Sequence, residues 1–206
     1  TPLTVVRGEI EAMLDGVHQI DEEHLRLLMN EVTVMERLLE DLRTLSLIDA
    51  GRLELHREPT DIEALVEDVA DGYRRRAAES AVSIVVHSGD ELPELLIDPV
   101  RIREVLTNVV VNALRAMPEG GDLIFRVDRL PGGAVVEVSD TGTGIGGEEL
   151  EHVFDRFHKG SASRGSGLGL TISRDLVVAH GGAMTLQSEA GRGTTVRIEL
   201  PPGDRT

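Results

Sequence analysis

The stretch VEVSDTGTGI, residues 136–145, alternates apolar and polar side chains and then runs into Asp140 and two glycines. Val136 and Val138 alternate with polar neighbours, which is the period-two pattern of a half-buried strand. Gly142 and Gly144 follow at once, and glycine lets another segment or a ring approach closely because it has no Cβ. We therefore predict a strand that ends in a carboxylate beside an open turn.

Further strands are predicted on both sides of this one, at residues 82–87, 94–98, 122–129, 183–189 and 194–201. Helical spacing of apolar residues appears between them, at residues 99–117 and 169–180, and a preceding helix begins at Thr60 or Asp61 and extends to about residue 79. Asp98 followed by Pro99 is a typical cap and first-turn pair. Residues 62–206 are thus predicted to form an α+β sandwich, a mixed sheet with helices layered on one face.

The N-terminal part of the chain has a purely helical pattern. Between residues 21 and 50, apolar side chains recur at intervals of three or four positions: Leu25, Leu28, Val32, Met35, Leu39, Leu42 and Leu45. A shorter helix lies before residue 15, and residues 15–21 connect the two, so residues 1–52 are predicted to form an antiparallel hairpin. Residues 53–61 are predicted to be an extended linker. The apolar stripes favour a four-helix bundle formed by two copies of the chain, and a hairpin packed on its own globular domain is the alternative.

Composition excludes several classes of function. The 206 residues carry a formal net charge of −16, which argues against sequence-independent nucleic-acid binding, because such binding depends on Lys and Arg neutralising phosphates. The chain has no Cys, so it has no disulfide and no thiolate site. No apolar run approaches the roughly 20 residues that a bilayer requires.

Two asparagines in NVVVNALRAM, residues 108–117, share one face of a predicted helix. Asn108 and Asn112 lie one turn apart, and Arg115 follows on the same face. An amide oxygen is a suitable ligand for Mg²⁺, and a guanidinium can bind phosphate. Taken alone, two asparagines on one helix are more often surface or packing residues than ligands.

Three glycines precede the last predicted helix in RGSGLGLTIS, residues 164–173. Gly165, Gly167 and Gly169 would leave backbone N–H groups at a helix start, where anions bind. The stretch is not a Rossmann fingerprint, since no βαβ unit surrounds it, and it is not a Walker loop, since no Lys-Ser/Thr follows. The cationic segment before it, which carries Lys159, is interpreted either as a lid over phosphates or as a surface loop.

The four motifs in this order closely resemble the sensor histidine kinases of two-component systems. The resemblance rests on Asn-x₃-Asn at residues 108–112, Asp-x-Gly-x-Gly at residues 140–144, Phe-x-Arg-Phe at residues 154–157 and Gly-x-Gly-Leu-Gly-Leu at residues 165–170, behind a helical hairpin. The stretch EAGRGTTVRIEL, residues 189–200, matches the family's last glycine motif. The resemblance implies a Bergerat-type sandwich that binds ATP and Mg²⁺ and transfers the γ-phosphoryl group to a His.

The resemblance also assigns roles to individual residues. Asn112 would hold Mg²⁺ with support from Asn108, Arg115 would contact phosphate, and Asp140 would bind the adenine amine. The remaining expected ATP-site residues are Gly142, Gly144, Ile145, Phe157, Lys159, Gly165, Gly167, Leu168, Gly169 and Thr194. Where the family often has an aromatic residue after its Asn motif, this chain has Ala116 and Met117.

The first residues resemble the second half of the family's phosphoacceptor motif, His-Glu-Leu-Arg-Thr-Pro-Leu. We therefore expect the phosphoacceptor His to lie just upstream of Thr1, and Thr1 to match the position credited with a phosphatase role. The resemblance further implies a homodimer joined through the hairpin and a response regulator receiver domain as partner. It implies a cytoplasmic location for these residues, with a membrane anchor only in an upstream region of the parent protein.

Two other functions are compatible with parts of the pattern. Gyrase-like ATPases share the glycine motifs, but they carry a Glu one helical turn before the Mg²⁺-binding Asn, where this chain has Asn108. Without that carboxylate, activation of a water molecule is poorly supported. A catalytically silent module that senses nucleotide and dimerises is the other alternative.

Overall fold

The computed structural model describes residues 2–158 and 167–202. The chain divides into two compact units, the first extending through Leu53 and the second beginning at Glu54. Each unit is built as the hydrophobic patterns predict, a helical hairpin and a sheet with helices. Within the described ranges, no helix combines the length and the apolar character needed to cross a membrane.

The first unit is a hairpin of two helices, α1 (Pro2–Leu14) and α2 (Glu22–Asp49). Asp21 caps α2, because its carboxylate accepts the backbone N–H of His24 at 3.0 Å. Gly51 follows the helix with φ +63°, a left-handed conformation that glycine adopts without strain. Both helices were predicted from sequence, whereas the choice of Asp21 as the cap comes from the structure.

The second unit contains the remaining elements in the following order: β1 (Glu58–Thr60), α3 (Ile62–Glu79), β2 (Val82–Ser88), β3 (Leu95–Ile97), α4 (Pro99–Ala116), β4 (Gly121–Leu130), β5 (Gly133–Asp140), α5 (Gly147–Leu150), α6 (Gly169–Ala179), β6 (Ala183–Glu189) and β7 (Gly193–Leu200). Asp61 caps α3 and Asp98 caps α4 through their carboxylates. Every strand predicted from sequence is present. The short helix α5 is an element that the periodicity did not predict, because four residues are too few to show a helical period.

The main sheet has five strands in the order β2-β4-β5-β7-β6. The pair β2 and β4 is parallel, and all other pairs in this sheet are antiparallel. The sheet is therefore mixed, as predicted. A separate antiparallel pair joins β1 to β3, with Pro59 opposite Leu96, so part of the stretch predicted as an extended linker is hydrogen-bonded into the second unit.

The core lies between one face of the sheet and helices α3, α4 and α6. Strand β4 shows the alternation clearly, since Leu123, Phe125 and Val127 are fully buried whereas Arg126 and Asp128 are exposed. The helices contribute buried side chains to the same core: Ile62, Val66, Ile102, Leu106, Ile172 and Leu176. This burial of aliphatic surface holds α4 and α6 in place, and these two helices carry much of the candidate site.

Buried hydrogen bonds of Asp98 and His180 connect the beginning of α4 with the end of α6. The Asp98 backbone N–H donates to His180 Nε2 at 3.1 Å, and His180 Nδ1 lies 2.7 Å from the Leu176 carbonyl oxygen. The second oxygen of Asp98 accepts the His56 N–H at 2.9 Å. These bonds attach the N-terminus of α4 to the C-terminus of α6 and to the segment before β1.

Candidate functional site

Asp140 stands at the end of β5, where its carboxylate organises the turn that follows. Its Oδ1 accepts the backbone N–H of Gly142 at 2.9 Å and that of Thr194 at 3.3 Å. Burial raises the pKa of Asp140 above its usual range, and the two backbone hydrogen bonds oppose that rise. The carboxylate is thus held by one oxygen, in a partly desolvated position at the sheet end.

The glycines after Asp140 are required by close backbone contacts. A Cβ on Gly142 would lie 2.6 Å from the Ala116 carbonyl oxygen, and one on Gly144 would collide with the Glu189 carbonyl oxygen. Gly144 also has φ +63°. The turn is therefore packed between the C-terminus of α4 and the β6–β7 connection, as a sequence of two closely spaced glycines suggests.

The β6–β7 hairpin closes the other side of this turn through Ser188. The Ser188 hydroxyl donates to the Gly193 carbonyl oxygen at 2.8 Å and accepts the Ile145 N–H at 2.8 Å. It also lies 2.9 Å from Thr194 Oγ1, its cross-strand partner. Sequence reasoning missed Ser188. Ser188 could have been identified as the residue that faces Thr194 in the predicted hairpin of β6 and β7, because both side chains carry a hydroxyl group.

The three polar residues predicted on α4 differ in burial. Asn108 is 4% exposed, and its Nδ2 donates to Ser173 Oγ of α6 at 3.4 Å. Asn112 and Arg115 are exposed on the same helix. The inner asparagine therefore joins two helices, whereas the outer amide is available to solvent and ligand. Ser173 is a second residue that sequence reasoning did not select.

Helix α6 begins directly after the glycine-rich stretch, at Gly169. Leu168 occupies the cap position and is buried, but it offers no side-chain oxygen to the first turn. Gly169 begins the helix next to the Asn108 amide, since a Cβ there would lie 3.6 Å from Asn108 Oδ1. N–H groups of a first helical turn have no intrahelical acceptors, so this end of α6 favours an anion.

The Phe-x-Arg-Phe segment, residues 154–157, packs against the same helix start. The Phe157 N–H donates to the Gly167 carbonyl oxygen at 3.0 Å, and Gly167 has φ +73°. Phe157 is itself in a left-handed conformation at φ +62°, with its side chain 62% exposed. Thr171 Oγ1 donates to the Phe154 carbonyl oxygen at 2.8 Å, which anchors the Phe-x-Arg-Phe segment on α6.

Helix α4 brings most of the predicted residues into one region. Its C-terminus contacts the turn after Asp140, and its middle contacts the start of α6 through Asn108. Three predicted site residues, Thr1, Lys159 and Gly165, lie outside the described residues. Arg115 also lines a small cleft toward α3, together with Arg76 and Ser80.

Chemically, the region combines a partly buried carboxylate, an exposed amide oxygen and a helix N-terminus. A carboxylate beside a glycine turn can bind an exocyclic amine, an amide oxygen can bind Mg²⁺, and the helix start can bind phosphate. These are the three parts needed to hold a Mg²⁺-nucleoside triphosphate.

Comparison with known proteins gives a consistent result. Residues 97–204 match the family described as "Histidine kinase-, DNA gyrase B-, and HSP90-like ATPase", and the matched range includes α4, the turn after Asp140 and α6. The sensor protein SrrB of Staphylococcus aureus is 34% identical to 98% of this chain. The match covers 36% of the length of that relative, so the chain spans about a third of it.

Two solved structures resemble the whole described fold. The histidine kinase AdeS of Acinetobacter baumannii superposes with a TM-score of 0.83 at 28% identity, covering 99% of this chain and 96% of that chain. Full-length ShkA, solved in complex with AMPPNP, superposes with a TM-score of 0.79 at 27% identity, covering 100% of this chain and 47% of that chain.

Proposed function

Because this chain belongs to the histidine kinase-, DNA gyrase B- and HSP90-like ATPase family and carries the catalytic domain of a sensor histidine kinase, we propose that it binds Mg²⁺-ATP and transfers the γ-phosphoryl group to a histidine. The phosphoryl group then passes to an aspartate of a response regulator receiver domain. The AMPPNP complex of ShkA supports ATP as the nucleotide.

The hydrogen bonding of Asp140 is the observation that carries this proposal. Both backbone donors, Gly142 and Thr194, use Oδ1. We assign the other carboxylate oxygen to the exocyclic amine of adenine. Partial burial strengthens such a hydrogen bond, because water competes less for the carboxylate. Gly142, Gly144, Ile145 and Thr194 would then shape the adenine pocket.

The phosphates are assigned to the other half of the site. The first turn of α6, with Gly167, Leu168 and Gly169, supplies backbone donors, and Arg115 supplies a positive charge in a chain of net charge −16. Phe157, Lys159 and Gly165 belong to the segment that would cover the triphosphate. Neutralising and positioning the phosphates is most of what a protein contributes to phosphoryl transfer.

The residues present also fit a magnesium ion. Asn112 offers an exposed amide oxygen one turn from Asn108, and Mg²⁺ prefers a few hard oxygen ligands together with water and phosphate oxygens. When bound, the ion would neutralise charge on the triphosphate. Asn108 would act through Asn112 and α6, because its amide is buried against Ser173.

The proposed transfer balances without any further reactant. The bond between the γ-phosphorus and the bridging oxygen breaks, and that oxygen keeps the electron pair on ADP. A P–N bond to the imidazole forms, and the imidazole releases its N–H proton to solvent water. Hydrolysis is less well supported, because Asn108 stands where a gyrase-like ATPase has its general base, and a neutral amide does not accept a proton at ordinary pH.

The hairpin is proposed to dimerise and to carry the phosphoacceptor face. Leu25, Leu39 and Leu42 are 47%, 68% and 47% exposed in the single chain, which favours burial against a second copy. The receiver domain of the response regulator would dock on this hairpin, where Thr1 is assigned the phosphatase role. These residues are proposed to lie in the cytoplasm, with any membrane anchor in the parent protein.

The experiment that tests the function uses ATP labelled in its terminal phosphate. The chain is incubated alone, and then with a version extended upstream of Thr1 by His-Glu-Leu-Arg and disabled by Asn112→Ala. We expect label only on the extended, disabled protein, and we expect it to be lost in acid and retained in alkali, as a phosphoramidate requires. Mixed dimers are confirmed beforehand by exchange of differently tagged chains.

Two outcomes would contradict the proposal. No label on either protein, nor on the active chain carrying the same His-Glu-Leu-Arg extension, with ATP binding and mixed dimers confirmed, would instead support a nucleotide-sensing module. Label on the chain alone would mean that one of its own histidines accepts the phosphoryl group. A matched control extends the chain by Gln-Glu-Leu-Arg, which removes only the acceptor imidazole.

A further inference from the structure

The connection between α1 and α2 gathers two imidazoles and one carboxylate. His18 Nδ1 lies 2.7 Å from Glu9 Oε1, and His24 Nε2 lies 3.5 Å from the same oxygen. The three ligand atoms all fall within 4.8 Å of one another, and the two rings are 4.9 Å apart between centroids. This cluster lies in the first unit, which is distinct from the ATP site in the second.

The three side chains come from three successive parts of the hairpin. Glu9 belongs to α1, His18 to the connection and His24 to the first turn of α2. All three are partly buried, with exposed side-chain fractions of 19% for Glu9, 40% for His18 and 25% for His24. They are therefore accessible to an ion and yet confined enough to be positioned.

A fourth residue orients one of the imidazoles. Asp21 Oδ1 lies 2.7 Å from His24 Nδ1 and also accepts the backbone N–H of His24 at 3.0 Å. A carboxylate on one ring nitrogen places the proton there and turns the lone pair of the other nitrogen toward the cluster. This carboxylate–histidine pair is the usual outer contact of a metal-binding histidine.

We propose that Glu9, His18 and His24 bind a divalent transition-metal ion of the zinc class, with Asp21 as the outer partner of His24. Two imidazole nitrogens and one carboxylate oxygen suit Zn²⁺, which takes His and Glu ligands tetrahedrally and accepts water as a fourth. The two imidazoles disfavour Mg²⁺ and Ca²⁺, which prefer oxygen ligands.

Two of the three distances between ligand atoms are close to those that such an ion needs, and the third pair, His18 and His24, lies within 4.8 Å. Ligand atoms about 2.0–2.1 Å from a tetrahedral ion lie roughly 3.3 Å from each other. The His24 to Glu9 distance of 3.5 Å already matches this value, and the His18 to Glu9 distance of 2.7 Å must open by about half an ångström. Rotation of the half-exposed His18 ring would supply that change.

The charge of the cluster also suits a cation. With neutral imidazoles, Glu9 and Asp21 give the site two negative charges, which a divalent ion neutralises. The ion would then tie α1, the connection and α2 together at one end of the hairpin. This inference does not depend on the proposed kinase function, because none of its residues belongs to the ATP site.

The test measures binding of Zn²⁺ to the whole chain by isothermal titration calorimetry. The ligand variants are Glu9→Gln, His18→Gln and His24→Gln. Matched controls are Glu11→Gln on the same helix, His87→Gln at an exposed position of β2 and His152→Gln, whose ring is near that of His158. Circular dichroism confirms that each variant keeps its helix content.

We expect one Zn²⁺ per chain, bound equally by the wild-type chain and the three controls. Each ligand variant should weaken binding by about tenfold or more, and Asp21→Asn, which keeps an acceptor for the helix cap, by roughly tenfold. Cobalt(II) should give the intense visible absorption of a tetrahedral site, and that absorption should be lost in His18→Gln and His24→Gln.

Two results would overturn the proposal. One is the absence of a stoichiometric zinc site in the folded wild-type chain. The other is zinc binding of unchanged affinity in both His18→Gln and His24→Gln, or binding that is lost in His152→Gln instead, because the metal would then lie elsewhere.

Discussion

The Asp140 carboxylate accepts the backbone N–H of Thr194, a residue 54 positions later in the chain, at 3.3 Å. The same oxygen accepts the Gly142 N–H at 2.9 Å, so one side chain joins the end of β5 to its own turn and to the start of β7. The carboxylate that we assign to adenine is thereby held in position before any nucleotide binds. Such preorganisation lowers the entropic cost of binding.

Replacing Asp140 by Asn should weaken ATP binding without lowering the stability of the fold. In Asp140→Asn the amide oxygen still accepts both N–H groups, but an amide donor replaces the oxygen assigned to the adenine amine. We expect ATP affinity to fall by about tenfold or more, measured by calorimetry. Ser139→Ala, in the neighbouring position, is the control and should bind ATP as the wild-type chain does.

The same variant should be at least as stable as the wild-type chain at pH 7. The pKa of Asp140 is raised in the folded state, so the folded chain holds this proton more tightly than the unfolded chain does. The contribution of Asp140 to the free energy of unfolding is therefore fully present below its pKa in the unfolded chain, and it is lost as the pH rises through its pKa in the folded chain. A marked loss of stability in Asp140→Asn at pH 7 would show that the charge is needed for folding.

The two asparagines of α4 should respond differently to truncation. Asn108→Ala removes a buried hydrogen bond to Ser173 and should lower the free energy of unfolding by about 1–3 kcal/mol. Asn112→Ala changes an exposed side chain, should alter stability by less than about 0.5 kcal/mol and should weaken Mg²⁺-dependent ATP binding by about tenfold. Thermal unfolding and ATP titrations with and without Mg²⁺ measure the two effects. Equal destabilisation by both substitutions would contradict this division.

A methyl group at Gly144 should be far more damaging than one at Gly147. Gly144 has φ +63° and its Cβ would collide with the Glu189 carbonyl oxygen, whereas nothing lies within 4 Å of a Cβ at Gly147. We expect Gly144→Ala to cost about 2 kcal/mol or more and Gly147→Ala to cost little. Urea unfolding followed by circular dichroism suits this chain, which has one Tyr and no Trp. Similar urea midpoints for Gly144→Ala and Gly147→Ala would show that the turn after Asp140 can rearrange to accept a side chain at little cost.

Stability should fall as the pH drops below neutrality because of His180. Burial lowers the pKa of His180 below 6.5, and Arg57 adds to this effect, whereas the Leu176 carbonyl and Asp98 oppose it. As the pH falls, His180 is protonated in the unfolded chain before it is protonated in the folded chain. The contribution of the neutral His180 ring to the free energy of unfolding is therefore complete above pH 6.5 and is lost as the pH falls through the pKa of the folded state. Urea midpoints measured at several pH values should show this slope.

The dependence of stability on pH below 6.5 should be specific to the His180 ring. His180→Gln lowers stability at every pH by removing the contacts to Asp98 and Leu176, but it should flatten the dependence below pH 6.5. The exposed control His87→Gln should keep the slope of the wild-type chain. An unchanged slope in His180→Gln would assign the effect to other groups.

The exposed leucines of α2 should determine the oligomeric state. Leu25→Glu combined with Leu39→Glu places charges on the apolar stripe, so we expect dimers to dissociate in sedimentation velocity experiments. Leu27 is 52% exposed but lies on another side of the helix, so Leu27→Glu is a matched control that should leave the dimer intact. A monomeric wild-type chain would contradict the proposed bundle.

The amino-acid sequence by itself determined the order and nature of all the described elements except β1 and α5. Apolar periodicity, the cap at Asp98 and the glycine that ends α2 act over a few residues, so they can be recognised without tertiary information. The candidate site could be predicted to the extent that its motifs are local, as with Asp140, Gly144 and Gly169.

Only the tertiary structure decided which distant groups meet. It paired β1 with β3, buried Asn108 against Ser173 while leaving Asn112 exposed, and placed Ser188 between Ile145 and Thr194. It also gathered Glu9, His18 and His24 around a connection that sequence reasoning treated only as a short loop. The physical reason is that local patterns specify which face of an element is buried, whereas the partner of each polar group depends on how separate elements pack.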